Sequence, residues 1–326
     1  MASRFVRARL LRIQGADLNL FEFDYDLTWV AFFMNADEKI YGRYGSRDAS
    51  GPDARLSVAG FRYAMQTALD SHRMANDKPP PRAAKSFRVD DYPAAKRMGN
   101  GCIHCHQVWE FRRDYLKSTG KWSKDEIWVY PLPENIGLTL DVDQGDRIKA
   151  VAKDSAADRA GLAVGDLLRT LNGYSVASIG DVQFALHKAP AKGSIPVAWE
   201  RNGKPQSGTL LLDADWRKTN VTWRPSMLDI LPALSLSGDD LSAEEKKKLG
   251  LSVRRLAFRQ EAKVHKSMQA AGIQGGDIIV GIDGKAPEMT MIEFFGYVRR
   301  NYLIGERVTL NIIRNGKRVD LPITLK

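Results

Sequence analysis

Cys102, Ile103, His104, Cys105 and His106 form the one stretch of this 326-residue chain where reactive side chains crowd together, since it holds both cysteines and two of the five histidines. Two thiols about one helical turn apart, followed at once by an imidazole, fit several chemistries. The thiols can bond the two vinyl groups of a c-type haem while His106 ligates the iron. His72, Met74 or Met98 could be the sixth ligand, with Trp109 and Tyr115 covering the ring. The same pair can act as a dithiol in which Cys102 attacks as thiolate, its pKa lowered by His104, His106 and Arg97. A zinc or copper site would take Cys102, Cys105 and one or two of His72, His104 and His106. A disulfide or an inert pair with no cofactor is the remaining alternative. Haem leads because it uses His106 without adjustment.

The elements around this stretch set its context. A hydrophobic content of 44% with 27% charged residues is that of a globular protein of two or three domains. No run reaches the roughly 18 to 20 apolar residues of a membrane-spanning helix, so no transmembrane segment is expected. The start, MASRFVRARLLRI, lacks the apolar core of a secretory signal, leaving either a cytoplasmic chain or one whose signal lies outside this sequence. A net charge of +10 is spread over every segment. The tightest basic run, Lys246 to Lys248, follows Glu244 and Glu245 as a solvated helix face would, so nucleic acid is not an expected partner.

The second half repeats itself. AGLAVGDLLRTLNG at 160–173 matches AGIQGGDIIVGIDG at 271–284; IGLTL at 136–140 matches LGLSV at 249–253; RNGK recurs at 201 and 314. Asn202-Gly203 reads as a hairpin turn. Ser178 caps a helix carrying Val182, Ala185 and Leu186, and Thr290 caps one carrying Phe294, Phe295 and Val298. At these residues the chain resembles the PDZ domain, twice, at 130–217 and 224–326, in the arrangement of the high-temperature-requirement proteases. The resemblance implies that Ile136, Gly137 and Leu138, and likewise Leu249, Gly250 and Leu251, receive a peptide's terminal carboxylate, while the strand that follows accepts an extended peptide. Protein C-termini or extended peptides are the implied partners. No Gly-x-Ser-Gly nucleophile segment precedes the repeats, so the chain is not expected to be a protease.

In the first 76 residues, Phe5 to Ile13 reads as a strand, a hairpin turns at Asn35 to Glu38, and Leu56 to His72 forms an amphipathic helix. FEFDYDLTWVAFFMNADEKIYGRYG resembles the later half of a thioredoxin fold, with Thr28 near the position of a cis-proline. Segment 77–129 reads as a Pro- and charge-rich linker leading into the CxxCH stretch. With CIHCHQV and LPENIGLTLD, these residues resemble a family of bacterial thioredoxin-like, PDZ-containing envelope proteins, some of them selenoproteins. The expected fold is therefore multidomain, α/β plus mainly β, a partial thioredoxin-like domain followed by two PDZ domains. The expected function is a periplasmic or envelope redox protein, possible oxidoreductase activity included, that carries electrons through haem c to an unknown redox partner. A thiol-disulfide oxidoreductase, a metal-binding protein and a non-catalytic PDZ scaffold are the alternatives.

Overall fold

The computed structural model describes residues 1–74, 85–99 and 101–326, which fall into two compact units, Met1–Ser226 and Met227–Lys326. The first unit opens with a hairpin of β1 (Ala31–Met34) and β2 (Ile40–Tyr44), covered by α1 (Val58–Met74). The Asn35 side chain accepts the Asp37 and Lys39 amides and closes the turn between the strands. Phe33, Tyr41, Tyr44, Ala64, Met65 and Ala68 make the core of this element.

The expected strand over Phe5 to Ile13 does not form. Ala2–Arg4 is a 3-10 turn, and Val6, Leu10 and Leu11 stand exposed. An alternation of apolar residues makes a strand only where a neighbour supplies its hydrogen bonds, and among the described residues none is paired with it. The sheet of this region therefore stops at two strands, and nothing in it supports a thioredoxin-like domain.

Part of the expected linker, 77–84, lies outside the described residues. Beyond it the chain is not a spacer: Val89, Tyr92, Ala94 and Ala95 are buried together with Phe23, Tyr25, Val129 and Tyr130. The same core takes Val108, Trp109 and Phe111 from α2 (Gln107–Ser118). Arg224 is 1% exposed and donates to Asp24 at 2.6 Å and Asp26 at 3.0 Å, tying the end of the unit to its beginning.

The first repeat completes this unit. A 3-10 turn at Pro133–Ile136 leads into β3 (Leu138–Leu140), which pairs antiparallel with β4 (Ile148–Val151). After α3 (Ala156–Arg159) come β5 (Leu167–Leu171), β6 (Tyr174–Ser175), α4 (Ile179–His187), β7 (Gly193–Arg201) and β8 (Lys204–Leu212). These four strands form an antiparallel sheet in the order β6-β5-β7-β8. Ile136, Leu138, Val182, Ala185, Leu186 and Leu210 meet in its core.

The second repeat is the second unit. It runs β9 (Gly238–Asp240), α5 (Ala243–Lys248), β10 (Phe258–Gln260), α6 (Lys266–Ala270), β11 (Ile278–Ile282), α7 (Met291–Asn301), β12 (Arg307–Arg314) and β13 (Lys317–Thr324). The sheet order is β13-β12-β11-β10-β9, so β9 is an edge strand. One device recurs in both copies. Arg201 grips Asp166 through two bonds of 2.8 and 2.7 Å and the Gly161 carbonyl at 2.7 Å. Arg314 does the same to Asp277 and Gly272, each bond 2.7 Å. The planar guanidinium fork suits that carboxylate geometry and locks the final hairpin to the Ala-Gly turn.

Candidate functional site

The cysteine stretch forms a turn ahead of α2, held by Gly101 N donating to the Met98 carbonyl at 2.9 Å and His104 N donating to Gln107 Oε1 at 2.8 Å. Both thiols are free, Cys102 exposed and Cys105 half-buried among Ile103, Met98 and the core. Burial pushes the Cys105 thiol up, opposite to what a reactive thiolate needs. The His104 and His106 rings stack at 5.9 Å, and His106 Nδ1 lies 2.8 Å from Glu110 Oε1, one turn along α2. Arg97 pairs with Asp114 at 3.0 Å. His72 lies against the hairpin, its Nδ1 3.0 Å from the Tyr41 hydroxyl. Trp109 packs inward against Tyr25, Tyr130 and His187. Among the described residues no three His, Cys, Asp or Glu side chains come together as metal ligands.

The repeats carry the second candidate. In the first, Ile136 and Leu138 are buried with the core, and Gly137 has φ +88°. A Cβ at Gly137 would strike the Ser155 side chain, so this glycine is demanded by internal packing whatever a ligand requires. Helix α4 begins at the Ser178 cap, whose Oγ accepts the Asp181 amide at 3.1 Å, and lies beside the 133–136 turn. All of Ile179 to Leu186 is buried.

In the second repeat the matched LGLSV does not occupy the equivalent place. Register settles the equivalence: Gly165 N donates to Ile148 O at 2.8 Å and Gly276 N to Gln260 O at 2.9 Å, while Ile148 faces Leu140 and Gln260 faces Gly238. Leu234, Ser235 and Leu236 therefore stand where Ile136, Gly137 and Leu138 stand. Leu249, Gly250 and Leu251 instead end α5, with Gly250 at φ +68° and Leu251 packed on Leu241 and Val280. A glycine just past a helix end relieves the left-handed turn there, which is why the tripeptide imitates a strand-entry loop. The usable signal was the alternation Leu234, Leu236 ahead of Gly238-Asp239-Asp240.

Helix α7 starts from Thr290, whose Oγ1 accepts the Glu293 amide at 3.3 Å, and sits against β9 through Met291 N and Asp240 Oδ1 at 3.0 Å. Only Phe294 and Val298 are buried in it. Ile292 is 76% exposed. With Phe295 and Arg299 it forms one stripe at helical spacing, and the buried Arg299 Nε has no hydrogen-bond partner among the described residues.

Titratable groups mark the attachment of α4. Burial pushes the Asp181 carboxyl up to about 6 despite Arg43 beside it. Burial also pushes the His187 imidazole down to about 3, helped by Lys188, Arg217, Arg112 and Arg224.

Comparison with known proteins adds a family context. The PDZ domain family matches residues 147–201. A probable periplasmic serine endoprotease DegP-like of Marinomonas sp. (strain MWYL1) is 26% identical over 222 residues, 65% of this chain and 45% of that protein. The periplasmic pH-dependent serine endoprotease DegQ of Escherichia coli (strain K12) is 32% identical over 95 residues, 28% of this chain and 20% of that one. The same organism's periplasmic serine endoprotease DegP is 29% identical over 96 residues, 28% of this chain and 19% of that one. Among solved structures, a serine endoprotease from Yersinia pestis is 26% identical over 24% of this chain and 28% of its own, with a TM-score of 0.21. The chain thus contains a PDZ domain, has homology to DegP-type serine proteases, and spans less than half the length of these curated relatives.

This likeness corrects the expected function. The redox role expected of the CxxCH stretch gives way to likeness to serine endoproteases, and a thioredoxin-like selenoprotein family finds no support. The expectation that the chain is not a protease conflicts with its homology to serine endoproteases, of which it spans less than half. Those relatives are periplasmic, and no described helix is long and apolar enough to cross a membrane.

Proposed function

We propose that this chain recognises polypeptides for a periplasmic protein of the DegP-like serine endoprotease type, and that its second repeat is the receiving groove. An extended segment joins the edge of β9 by main-chain hydrogen bonds, and its apolar side chains lie on Ile292 and Phe295 of α7. The observation that carries this is the exposed Ile292 with the half-buried Phe295 on α7, a helix that sits against the edge strand β9. An Ile side chain covered by a ligand contributes about 1.5 to 3 kcal/mol, or at least tenfold in affinity. Ile292→Asp alters an exposed position, so the fold survives. Binding of a random decapeptide pool to the full chain, measured by fluorescence anisotropy, is expected to weaken at least tenfold in this variant. Equal binding by the variant and the parent would remove the groove from consideration, and amidated against free C-termini distinguish internal segments from chain ends.

A further inference from the structure

In the first repeat the crevice between β3 and α4, the counterpart of the groove just assigned, already touches the chain's own N-terminal region on both walls. On the helix wall, the Ser178 hydroxyl donates to the Arg43 carbonyl, Arg43 N donates to Asp181 Oδ1 at 2.7 Å, and Ser46 Oγ donates to Gln183 Oε1 at 2.6 Å. The Arg43 guanidinium lies 3.6 Å from the centre of the Phe184 ring. A Cβ on Gly180 would come within 2.7 Å of the Gly45 carbonyl, so backbone meets backbone there.

On the strand wall, Arg55 pairs with Glu134 at 3.0 Å, in the turn that leads into Gly137. Ser57 Oγ donates to the Val142 carbonyl at 3.4 Å, and Tyr63 Oη to Asp146 Oδ2 at 2.9 Å. Tyr44 ties the two halves of this covering segment together, its hydroxyl donating to the Ser57 carbonyl at 2.8 Å. Between Tyr44, Gly45, Ser46, Arg55, Leu56 and the facing Val142, Gly145, Ile179 and Gly180 there remains a cavity of about 10 Å³. That is about the space of one solvent molecule, and no peptide fits it.

We infer that residues 43–57 are the resident occupant of the first repeat's groove: they close it to peptides, and peptide capture there requires their displacement. The inference rests on the assignment of the second groove only for the contrast between the two repeats. Sequence marks the same division. Offset by 112 positions from the paired caps Ser178 and Thr290, the buried Gly180 corresponds to the exposed Ile292, and the buried Gln183 to the partly exposed Phe295. Gly and Gln fit an occupant that brings backbone and a hydroxyl; Ile and Phe fit apolar side chains from elsewhere.

Hydrogen–deuterium exchange on the full chain tests this, with and without a saturating pool of random decapeptides with free C-termini. In the parent protein the pool is expected to protect β9 and leave β3 unchanged. Gly180→Ala puts a methyl group against the Gly45 carbonyl, which forces the covering segment away, while favouring the helix itself. In that variant, amides of 40–46 are expected to exchange at least tenfold faster, and the pool should now protect β3 too. Protection of β3 in the parent overturns the inference, as does unchanged exchange at 40–46 in Gly180→Ala. Should Gly180→Ala lose protection in β7 and β8, and so have unfolded, Arg55→Ala carries the test through a threefold or greater rise at 40–46, and no rise overturns it. Absence of β9 protection in every protein sinks the peptide assignment of the second repeat, while the exchange at 40–46 still decides the occupant.

Discussion

Helices α4 and α7 begin on equivalent caps and close sheets locked by the same Arg–Asp grip, yet one buries every residue from Ile179 to Leu186 and the other buries only Phe294 and Val298. The difference lies in which face is spoken for. Inward residues correspond pair by pair, Val182 with Phe294 and Leu186 with Val298, and both sets fill their cores. Outward, Gly180 costs α4 about 1 kcal/mol of helix preference relative to Ala, a loss that only a close backbone neighbour such as Gly45 makes sensible. A duplicated fold thus assigns one copy to its own chain and leaves the other open through two or three side chains.

The largest effect should come from the buried ion cluster that holds the first unit shut. Arg224→Met leaves Asp24 and Asp26 without their partner and is expected to cost that unit about 3 to 5 kcal/mol in chemical denaturation, with the second unit unmoved. Equal losses in both units would mean that they do not unfold separately.

Next in size is a pair of opposed pH slopes. The imidazole of His187, held low, supports folding above its ordinary value of 6.5 and loses that support as pH falls. From pH 7 to 5 the loss is about 2 kcal/mol. The carboxyl of Asp181, held high at about 6, acts in the other direction: its contribution is whole below 3.8 and fades as pH rises through 6. Between pH 5 and 7 that fading is about 1 kcal/mol. The two oppose each other in the parent protein, with the His187 contribution the larger. His187→Gln should therefore make the first unit weaken from pH 5 to 7 relative to the parent, and Asp181→Asn should make it strengthen; slopes of one sign in both variants contradict the assignment.

The smallest contrast is also the most local. Ser46→Ala strands part of the buried Gln183 amide and is expected to cost the first unit about 1 kcal/mol, measured by urea unfolding. Ile292→Ala, on the corresponding helix face, should stay within about 0.5 kcal/mol. Equal effects would mean that the two faces are not occupied differently.

What could be read from sequence was what short stretches decide for themselves. The Ala-Gly-Leu/Ile repeat, the Asn35 turn and the helix caps at Ser178 and Thr290 all depend on neighbours within a few residues, and each takes the expected local form. The misread elements depend on distant partners or on shared local grammar. Leu249-Gly250-Leu251 is a helix stop with the same letters as a strand entry. Phe5 to Ile13 has a strand's composition and, among the described residues, no strand paired with it. Cys105 and Trp109 read as reactive or ring-covering residues because burial against Tyr25 and Tyr130, far off in sequence, is invisible from the CxxCH spacing. Closure of the first groove was equally hidden, since the buried state of Gly180 is set by Gly45.

The recurring grip of Arg201 on Asp166 and of Arg314 on Asp277 pins the last hairpin of each copy to its Ala-Gly turn. Because neither clamp uses a residue of α4 or α7, the outward faces of those helices are free to diverge without loosening the hairpin behind them.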